Sequence, residues 1–210
     1  MELLSCRRRG VIAVAMAVIA GTTTPAFAVD DASVIAPIQQ LVAGLLDIMK
    51  AGPGAPFTQR FAMLAPVIDQ TFDLQAILQE SVGASWAGLP ADQQTMLFDA
   101  FRRYTVASYV NSFNSFDGQR FDVEPETRAV GNDQVVQTQI VPKSGTTHEL
   151  DYVMREGGAG WRAVDVLADG SISRVAVQRS DFRRLLAKGG AQALADSLRA
   201  KSSDLSDGSS

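Results

Sequence analysis

The sequence contains very few of the side chains that usually carry chemistry in enzymes. It has one cysteine, Cys6, and one histidine, His148. The absence of any later cysteine excludes disulfide bonds, thiol nucleophiles and thiolate metal sites from the rest of the chain. A metal site would need further ligands beside a single histidine, and scattered carboxylates bind hard cations poorly. The sequence therefore predicts no metal and no cofactor.

Positive charge is also scarce. The chain has 19 Lys and Arg residues against 23 Asp and Glu residues, a net charge of −4. Three of the arginines, Arg7–Arg9, lie close to the N-terminus, so the remainder of the chain is more acidic still. An acidic protein repels phosphate backbones, which argues against a nucleic-acid partner. The same repulsion disfavours strong non-specific attachment to an anionic lipid surface.

The N-terminal residues have the pattern of a secretory signal peptide. The basic Arg7–Arg9 precedes an apolar run, Val11–Ala20, which is shorter than the ~20 residues that span a bilayer. Ala26-Phe27-Ala28 then places small residues two apart, as signal peptidase requires. We predict a signal peptide over residues 1–28, cleavage after Ala28, and export to a bacterial periplasm. No later run approaches membrane-spanning length.

The next part of the chain has helical periodicity. Over residues of about 33–113, apolar side chains recur every three or four positions. Pro37 is predicted to begin the first helix, and Pro66 to kink or end the second. Asp73 is a plausible helix cap, and Asp92 is predicted to open a long helix that ends near Phe113.

Over residues of about 118–178, apolar and polar side chains alternate with a period of two, and the helical period is lost. Glycine-containing turns separate the alternating segments, which predicts an antiparallel meander of four to five strands. Helices followed by such a sheet indicate an α+β domain over residues 29–200, with the helices covering one face of a curved sheet.

The end of the chain returns to a helical pattern. Helices are predicted over about 180–200, capped by Ser180 or Asp181 and interrupted at Gly189–Gly190. Residues 201–210 are polar and are predicted to form a disordered tail.

Two short motifs resemble catalytic or cofactor signatures but lack the required context. The Gly83–Gly88 segment is close to a nucleophile elbow around Ser85, but its second glycine is one residue too far along and no strand precedes it. Gly158–Ala163 matches a dinucleotide fingerprint but runs into a strand, whereas that motif must open a helix. Neither motif indicates an enzyme.

The remaining signal is apolar and aromatic, and it has two readings. These side chains either fill a solid core or enclose a cavity for an apolar ligand between the helices and the sheet. Composition does not separate the two.

Several segments together resemble one known family. They are Pro56–Phe61, Val67–Leu74, Trp86, Leu89–Gln94, Phe98–Tyr104, Trp161–Val166, Gly170–Ser173, Gln178–Phe182, Gly189–Gly190 and Ala193–Leu194. This set is similar to the MlaC-like family of periplasmic lipid-binding proteins, also called the toluene-tolerance or ABC-transporter auxiliary family. Within it, the chain most resembles the HpnM branch, which is associated with hopanoid biosynthesis. The resemblance covers roughly residues 33–200.

The resemblance implies a fold and a function. The fold is an NTF2-like curved sheet with a helical subdomain around a deep apolar pocket. The function is non-covalent shuttling of a phospholipid or hopanoid-type lipid between inner and outer membranes, which maintains outer-membrane lipid asymmetry. The implied partners are an inner-membrane transporter complex and an outer-membrane complex. Candidate lipid-binding residues, chosen for apolar character on the expected facing surfaces, are Phe72, Leu78, Trp86, Leu97, Phe101, Tyr104, Tyr152, Val164 and Val166.

Two alternatives stay open from the residues alone. One is an exported small-molecule enzyme on the same kind of sheet, for which His148 with Asp151 or Asp165 is the one constellation we can suggest. The other is an adaptor of a membrane transport complex whose apolar residues form a solid core. An open pocket of several hundred Å³ would favour a carrier over an adaptor, and buried convergent titratable groups would favour an enzyme.

Overall fold

The computed structural model describes residues 30–208, so the predicted signal peptide and its cleavage site lie outside the described residues. In chain order the helices are α1 (Asp31–Ala51), α2 (Phe57–Thr71), α3 (Leu74–Val82), a 3-10 helix (Gly83–Gly88), α4 (Ala91–Ser112) and α5 (Arg174–Ser206). Between α4 and α5 lie the strands β1 (Arg120–Val123), β2 (Arg128–Val130), β3 (Asp133–Val136), β4 (Thr138–Val141), β5 (His148–Gly157), β6 (Gly160–Ala168) and β7 (Ile172–Ser173).

The predicted class, helices with an antiparallel sheet, is confirmed. The strand order is β1-β4-β5-β3-β2, with β6 on β5 and β7 on β6, and every pairing between these strands is antiparallel. The described part of the chain has seven strands rather than four to five. One reason is that residues 134–141, whose alternation predicts a single strand, divide at Gln137 into β3 and β4, which pair with β5 in one continuous register. The other is that the short edge strand β2 lies outside every predicted strand.

The last helix begins earlier than the sequence predicts. The prediction of a strand through Gln178 is wrong beyond Ser173, and so is the cap at Ser180 or Asp181. The hydroxyl of Ser173 accepts a hydrogen bond from the amide of Ala176 at 3.0 Å, which starts α5 at Arg174. A serine cap satisfies a free backbone donor of the first turn, so helix formation outweighs continued strand pairing here.

The same helix also continues further than predicted. Residues 201–206 are helical, so the prediction of a disordered tail is wrong there. Ser202 is buried, and its hydroxyl donates to the carbonyl of Leu198 at 2.8 Å. Residues 209–210 lie outside the described residues.

Pro37, predicted to begin the first helix, and Pro66, predicted to kink or end the second, both lie inside helices. α1 begins at Asp31, where the side chain of Asp30 accepts from the amide of Ala32, so Pro37 is internal. α2 runs through Pro66 to Thr71. An internal proline removes one helical hydrogen bond and costs ~3 kcal/mol, which the packing of the apolar face of each helix offsets. The predicted cap at Asp73 is confirmed, since its carboxylate accepts from Ala76 at 2.9 Å.

Helix α1 is long and apolar enough to cross a membrane, so the prediction that no later run approaches membrane-spanning length is wrong. It is the one such helix among residues 30–208. Its apolar face packs in the core through Val34, Ile38, Leu41 and Leu45, all essentially inaccessible to solvent. We therefore describe α1 as a core helix.

One hydrophobic core joins all five α-helices to the sheet. It includes buried side chains of every α-helix together with Val136, Tyr152, Met154 and Ala163 from the strands. A bidentate ion pair between Arg102 of α4 and Asp69 of α2, at 2.7 and 2.6 Å, fixes these two helices side by side. The core therefore lies between the helices and one face of the sheet.

The predicted interruption at Gly189–Gly190 is present as a kink in α5, and it generates a stability prediction. Gly190 has φ 66° and ψ −157°, a conformation that is essentially restricted to glycine and costs other residues ~1–3 kcal/mol. We expect Gly190→Ala to lower the free energy of unfolding by that amount, measured by urea denaturation. A Cβ at position 190 would meet no heavy atom within 4 Å, so the loss would come from the backbone alone.

The matched control is Gly158→Ala. Position 158 has equally open surroundings and no positive φ, so we expect stability to be unchanged or slightly higher. Equal losses in the two variants would contradict the backbone explanation.

Candidate functional site

A cavity of about 290 Å³ lies between the helices and the sheet. Its walls come from α3, α4, the first turns of α5, and strands β5 and β6, with Phe72 from the end of α2. It opens to solvent, so a ligand could enter without unfolding the core. The lining residues are Phe72, Leu74, Ile77, Phe101, Tyr104, Thr105, Ser108, Tyr109, Ser112, Phe113, Leu150, Asp165, Val166, Ala168, Arg174, Val175 and Gln178.

Helix α4 supplies the largest share of this wall. Six of its residues and its C-cap, from Phe101 to Phe113 at spacings of three and four, place one continuous stripe on the cavity. This spacing keeps side chains on one face of an α-helix. Phe101 and Tyr109 are large, whereas Thr105, Ser108 and Ser112 are small, and the short side chains leave space in front of the helix.

Aromatic rings form the inner end of the cavity. The ring of Tyr109 lies 5.6 Å from that of Phe72 and stacks on Phe113 at 6.0 Å with an interplanar angle of 15°. The ring of Tyr152 lies behind Phe72, 6.2 Å away. Such offset and tilted pairs are favourable and rigid, so this end of the cavity has a fixed apolar surface.

Two phenols lie next to each other at this end, with Tyr152 buried and Tyr109 half-buried at the cavity wall. Burial raises the pKa of Tyr109 well above its usual value, and a hydrogen bond with Tyr152 raises it further. Burial also raises the pKa of Tyr152, while the hydrogen bond with Tyr109 opposes the rise. Both phenols therefore stay neutral at any physiological pH.

The two charged side chains that line the cavity lie near the start of α5. The Asp165 carboxylate accepts hydrogen bonds from the Ser173 hydroxyl at 2.5 Å, the Val166 amide at 2.8 Å and the Val175 amide at 3.1 Å. It therefore acts as a second cap on α5. Arg174, the first residue of that helix, is exposed at the cavity edge.

Only some of the predicted lipid-binding residues lie together around the cavity. Phe72, Phe101, Tyr104 and Val166 line the cavity. Leu78 and Leu97 are completely buried in the core, and Tyr152 supports Phe72 from behind. Trp86 lies on a separate open groove between the 3-10 helix and α5, and Val164 lies on another surface depression beside Arg155 and Arg179.

Val164 is displaced from the cavity by an irregularity in the sheet. The pairing of β5 with β6 shifts register between Val153 and Met154, so Met154 pairs with Ala163 and Val164 is the extra residue. A bulge interrupts the alternation of faces. Strict alternation would have placed Val164 on the same face of the strand as Val166. The bulge moves it away from the cavity.

Several lining residues were absent from the predicted set. They include Leu74, Ile77, Tyr109, Phe113 and Leu150, together with the hydroxyl side chains of α4. The three-and-four spacing of α4 contained the signal for Tyr109 and Phe113, which continue the stripe that begins at Phe101 and Tyr104.

The residues suggested for catalysis do not form a constellation. His148 is exposed, and it lies three residues from Asp151 in an extended strand, so the two side chains point to opposite faces. Asp151 is buried and burial raises the pKa of its carboxyl, but it does not line the cavity. Within residues 30–208, no cluster of three His, Cys, Asp or Glu side chains could hold a metal.

The chain matches a family model, and its fold matches a solved structure. The family model described as MlaC protein matches residues 39–200. The structure is similar to that of a phospholipid-binding protein from Ralstonia solanacearum, solved in complex with a phospholipid, with a TM-score of 0.71 and 21% sequence identity. The match covers 82% of this chain and 98% of that chain. No curated protein matches this chain.

The buried tyrosine pair generates a prediction about alkaline stability. Because the folded-state pKa values of Tyr109 and Tyr152 are raised, the unfolded chain loses these protons first, from about pH 10 upward. We expect the free energy of unfolding to be unaffected by this pair below about pH 10 and to fall above it. Urea denaturation across that range measures the slope.

The double variant Tyr109→Phe/Tyr152→Phe is the control for this assignment. It removes both phenols and leaves the rings, so the decline above about pH 10 should become shallower. An identical decline in the double variant would assign the alkaline sensitivity to other groups.

Proposed function

The chain belongs to the MlaC family, and from this premise we propose that it is a periplasmic lipid-binding carrier rather than an enzyme. The predicted signal peptide supports export. The observation that supports binding most strongly is the open, mainly apolar cavity between α4, α5 and the sheet. A solid core, as an adaptor would have, leaves no such space.

The energetics of lipid transfer explain why such a cavity is useful. Each methylene group exposed to water costs ~0.8 kcal/mol. A sixteen-carbon acyl chain would therefore cost on the order of 12 kcal/mol to leave a bilayer unshielded. A protein that covers the chain with apolar side chains removes most of that barrier without covalent chemistry.

The cargo we propose is a phospholipid. Support comes from the Ralstonia protein of the same fold, which was solved with a phospholipid bound. A hopanoid-type lipid, as the HpnM resemblance implies, is the alternative outcome. We propose that Phe72, Phe101, Tyr104 and Val166 contact the acyl chain, with Tyr109 and Phe113 completing the aromatic end.

The size of the cavity sets a condition on binding. Its volume of about 290 Å³ corresponds to on the order of ten water molecules, and a methylene group has a similar volume to a water molecule. A longer acyl chain therefore requires the walls to move apart. We propose that α4 and the first half of α5 separate when lipid enters.

The direction of lipid transfer must be set by partner proteins. The described helices and strands contain no nucleotide-binding loop, and a ligand moves only toward the site with higher affinity. We propose that an inner-membrane transporter complex and an outer-membrane complex provide these competing sites, as the family resemblance implies.

The first test is native mass spectrometry of the protein purified from periplasm, with lipid extraction of the same sample. We expect a stoichiometric bound lipid, and its mass distinguishes a phospholipid from a triterpenoid. A lipid-free mass that remains after incubation with phospholipid vesicles would contradict the carrier and favour an adaptor.

A pair of substitutions on one helix tests whether the cavity is the binding site. Thr105→Phe places a ring inside the cavity, and we expect lipid binding to fall at least tenfold because the ring occupies the acyl-chain volume. Thr95→Phe makes the same change at an exposed position of α4 that does not line the cavity, and binding should be unchanged. Lipid displacement of a fluorescent acyl-chain probe measures both.

Circular dichroism and urea denaturation should show that both phenylalanine variants remain folded. Undiminished binding by Thr105→Phe would place the lipid elsewhere on the protein.

A further inference from the structure

The cavity edge carries one cation that has no partner. Of the lining residues only Arg174 and Asp165 are charged. Within residues 30–208, the Arg174 guanidinium forms no ion pair and no hydrogen bond, and the residue is exposed. By contrast, Arg102, Arg120, Arg155, Arg179, Arg184 and Arg199 each bind a carboxylate.

Asp165 forms no ion pair with Arg174. Its two oxygen atoms are occupied by the Ser173 hydroxyl and the Val166 and Val175 amides. These contacts fix the backbone on both sides of Arg174. The backbone of Arg174, the first residue of α5, is therefore held in place, and its side chain is free to bind a ligand.

Arg174 is also close to the aromatic end of the cavity. Arg174 lines the same cavity as Tyr109, and its positive charge opposes the rise in the pKa of the Tyr109 hydroxyl. Neutral polar side chains, Ser112 of α4 and Gln178 of α5, complete this part of the lining. An anionic group attached to an apolar chain would meet this arginine where the chain leaves the cavity.

We propose that Arg174 binds the phosphate group of a phospholipid whose acyl chain occupies the cavity. This inference rests on the proposed lipid-carrier function. A guanidinium donates two parallel hydrogen bonds to phosphate oxygens, and it stays charged at every accessible pH. The arginine thereby selects a phosphate-bearing lipid over a neutral lipid with the same acyl chains.

The test compares two lipids that differ only in the headgroup. Phosphatidylglycerol and diacylglycerol with identical acyl chains are each used to displace a fluorescent acyl-chain probe from the full-length exported protein. We expect Arg174→Gln to weaken phosphatidylglycerol binding roughly threefold to tenfold and to leave diacylglycerol binding unchanged. Arg174→Lys should restore part of the loss, since it keeps the charge but not the bidentate geometry.

Arg184→Gln is the matched control. Arg184 lies on the same helix, is exposed, binds Asp181 on the surface and does not line the cavity. Its loss should change binding of neither lipid. The preference of the unmodified protein for phosphatidylglycerol should also shrink as the salt concentration rises.

Two other results would contradict the phosphate contact of Arg174. Equal weakening for both lipids would show that the Arg174 stem packs on the acyl chain, and no weakening would show no phosphate contact. Either result overturns the inference while leaving the carrier function intact. Failure of the unmodified protein to bind either lipid would overturn the carrier function itself.

Inorganic phosphate alone distinguishes a headgroup site from a free-phosphate site. We expect millimolar phosphate without lipid to leave the unfolding temperature of the unmodified protein and of Arg174→Gln equally unchanged. A phosphate-dependent stabilisation that disappears in Arg174→Gln would identify a free-phosphate site and contradict the headgroup assignment.

Discussion

The carboxylate of Asp165 joins strand β6 to the start of helix α5, and the cavity depends on this junction. One side chain satisfies the Val175 amide and the Ser173 hydroxyl at once. A negative charge there also interacts favourably with the positive end of the helix dipole. Because α5 and β6 form two walls of the cavity, the capping interaction sets the distance between them. The Asp165 oxygens accept these hydrogen bonds and form no ion pair with Arg174.

The sequence predicted the order of elements because local signals agree with tertiary packing over most of the chain. The change of period from helix to sheet and the cap at Asp73 are both local features. The errors arise where long-range contacts decide. Ser173 begins a helix because Asp165, distant along the strand hairpin, supplies a second cap. Pro66 is tolerated because the apolar face of α2 continues past it into the core.

The candidate site was predictable to the extent that it follows helix geometry. Phe101 and Tyr104 lie on the cavity face of α4, as their spacing indicates. Leu97 continues the same stripe, yet it is completely buried because the core closes over that end of the helix. Val164 depends on a bulge that alternation alone does not reveal. A pattern identifies a buried face, but only the packing distinguishes a cavity wall from a filled core.

Three short hydroxyl side chains in the α4 stripe, Thr105, Ser108 and Ser112, have a consequence for how the family can diversify. The empty volume exists because these side chains stop short of the opposite wall. Their hydroxyls can bond within the helix itself, so no other element depends on them. Replacement of any one by a larger or smaller residue would resize the chamber while the capped helices and the sheet keep their places. Cargo length can thus evolve at three surface-reachable positions of one helix, independently of the architecture that encloses them.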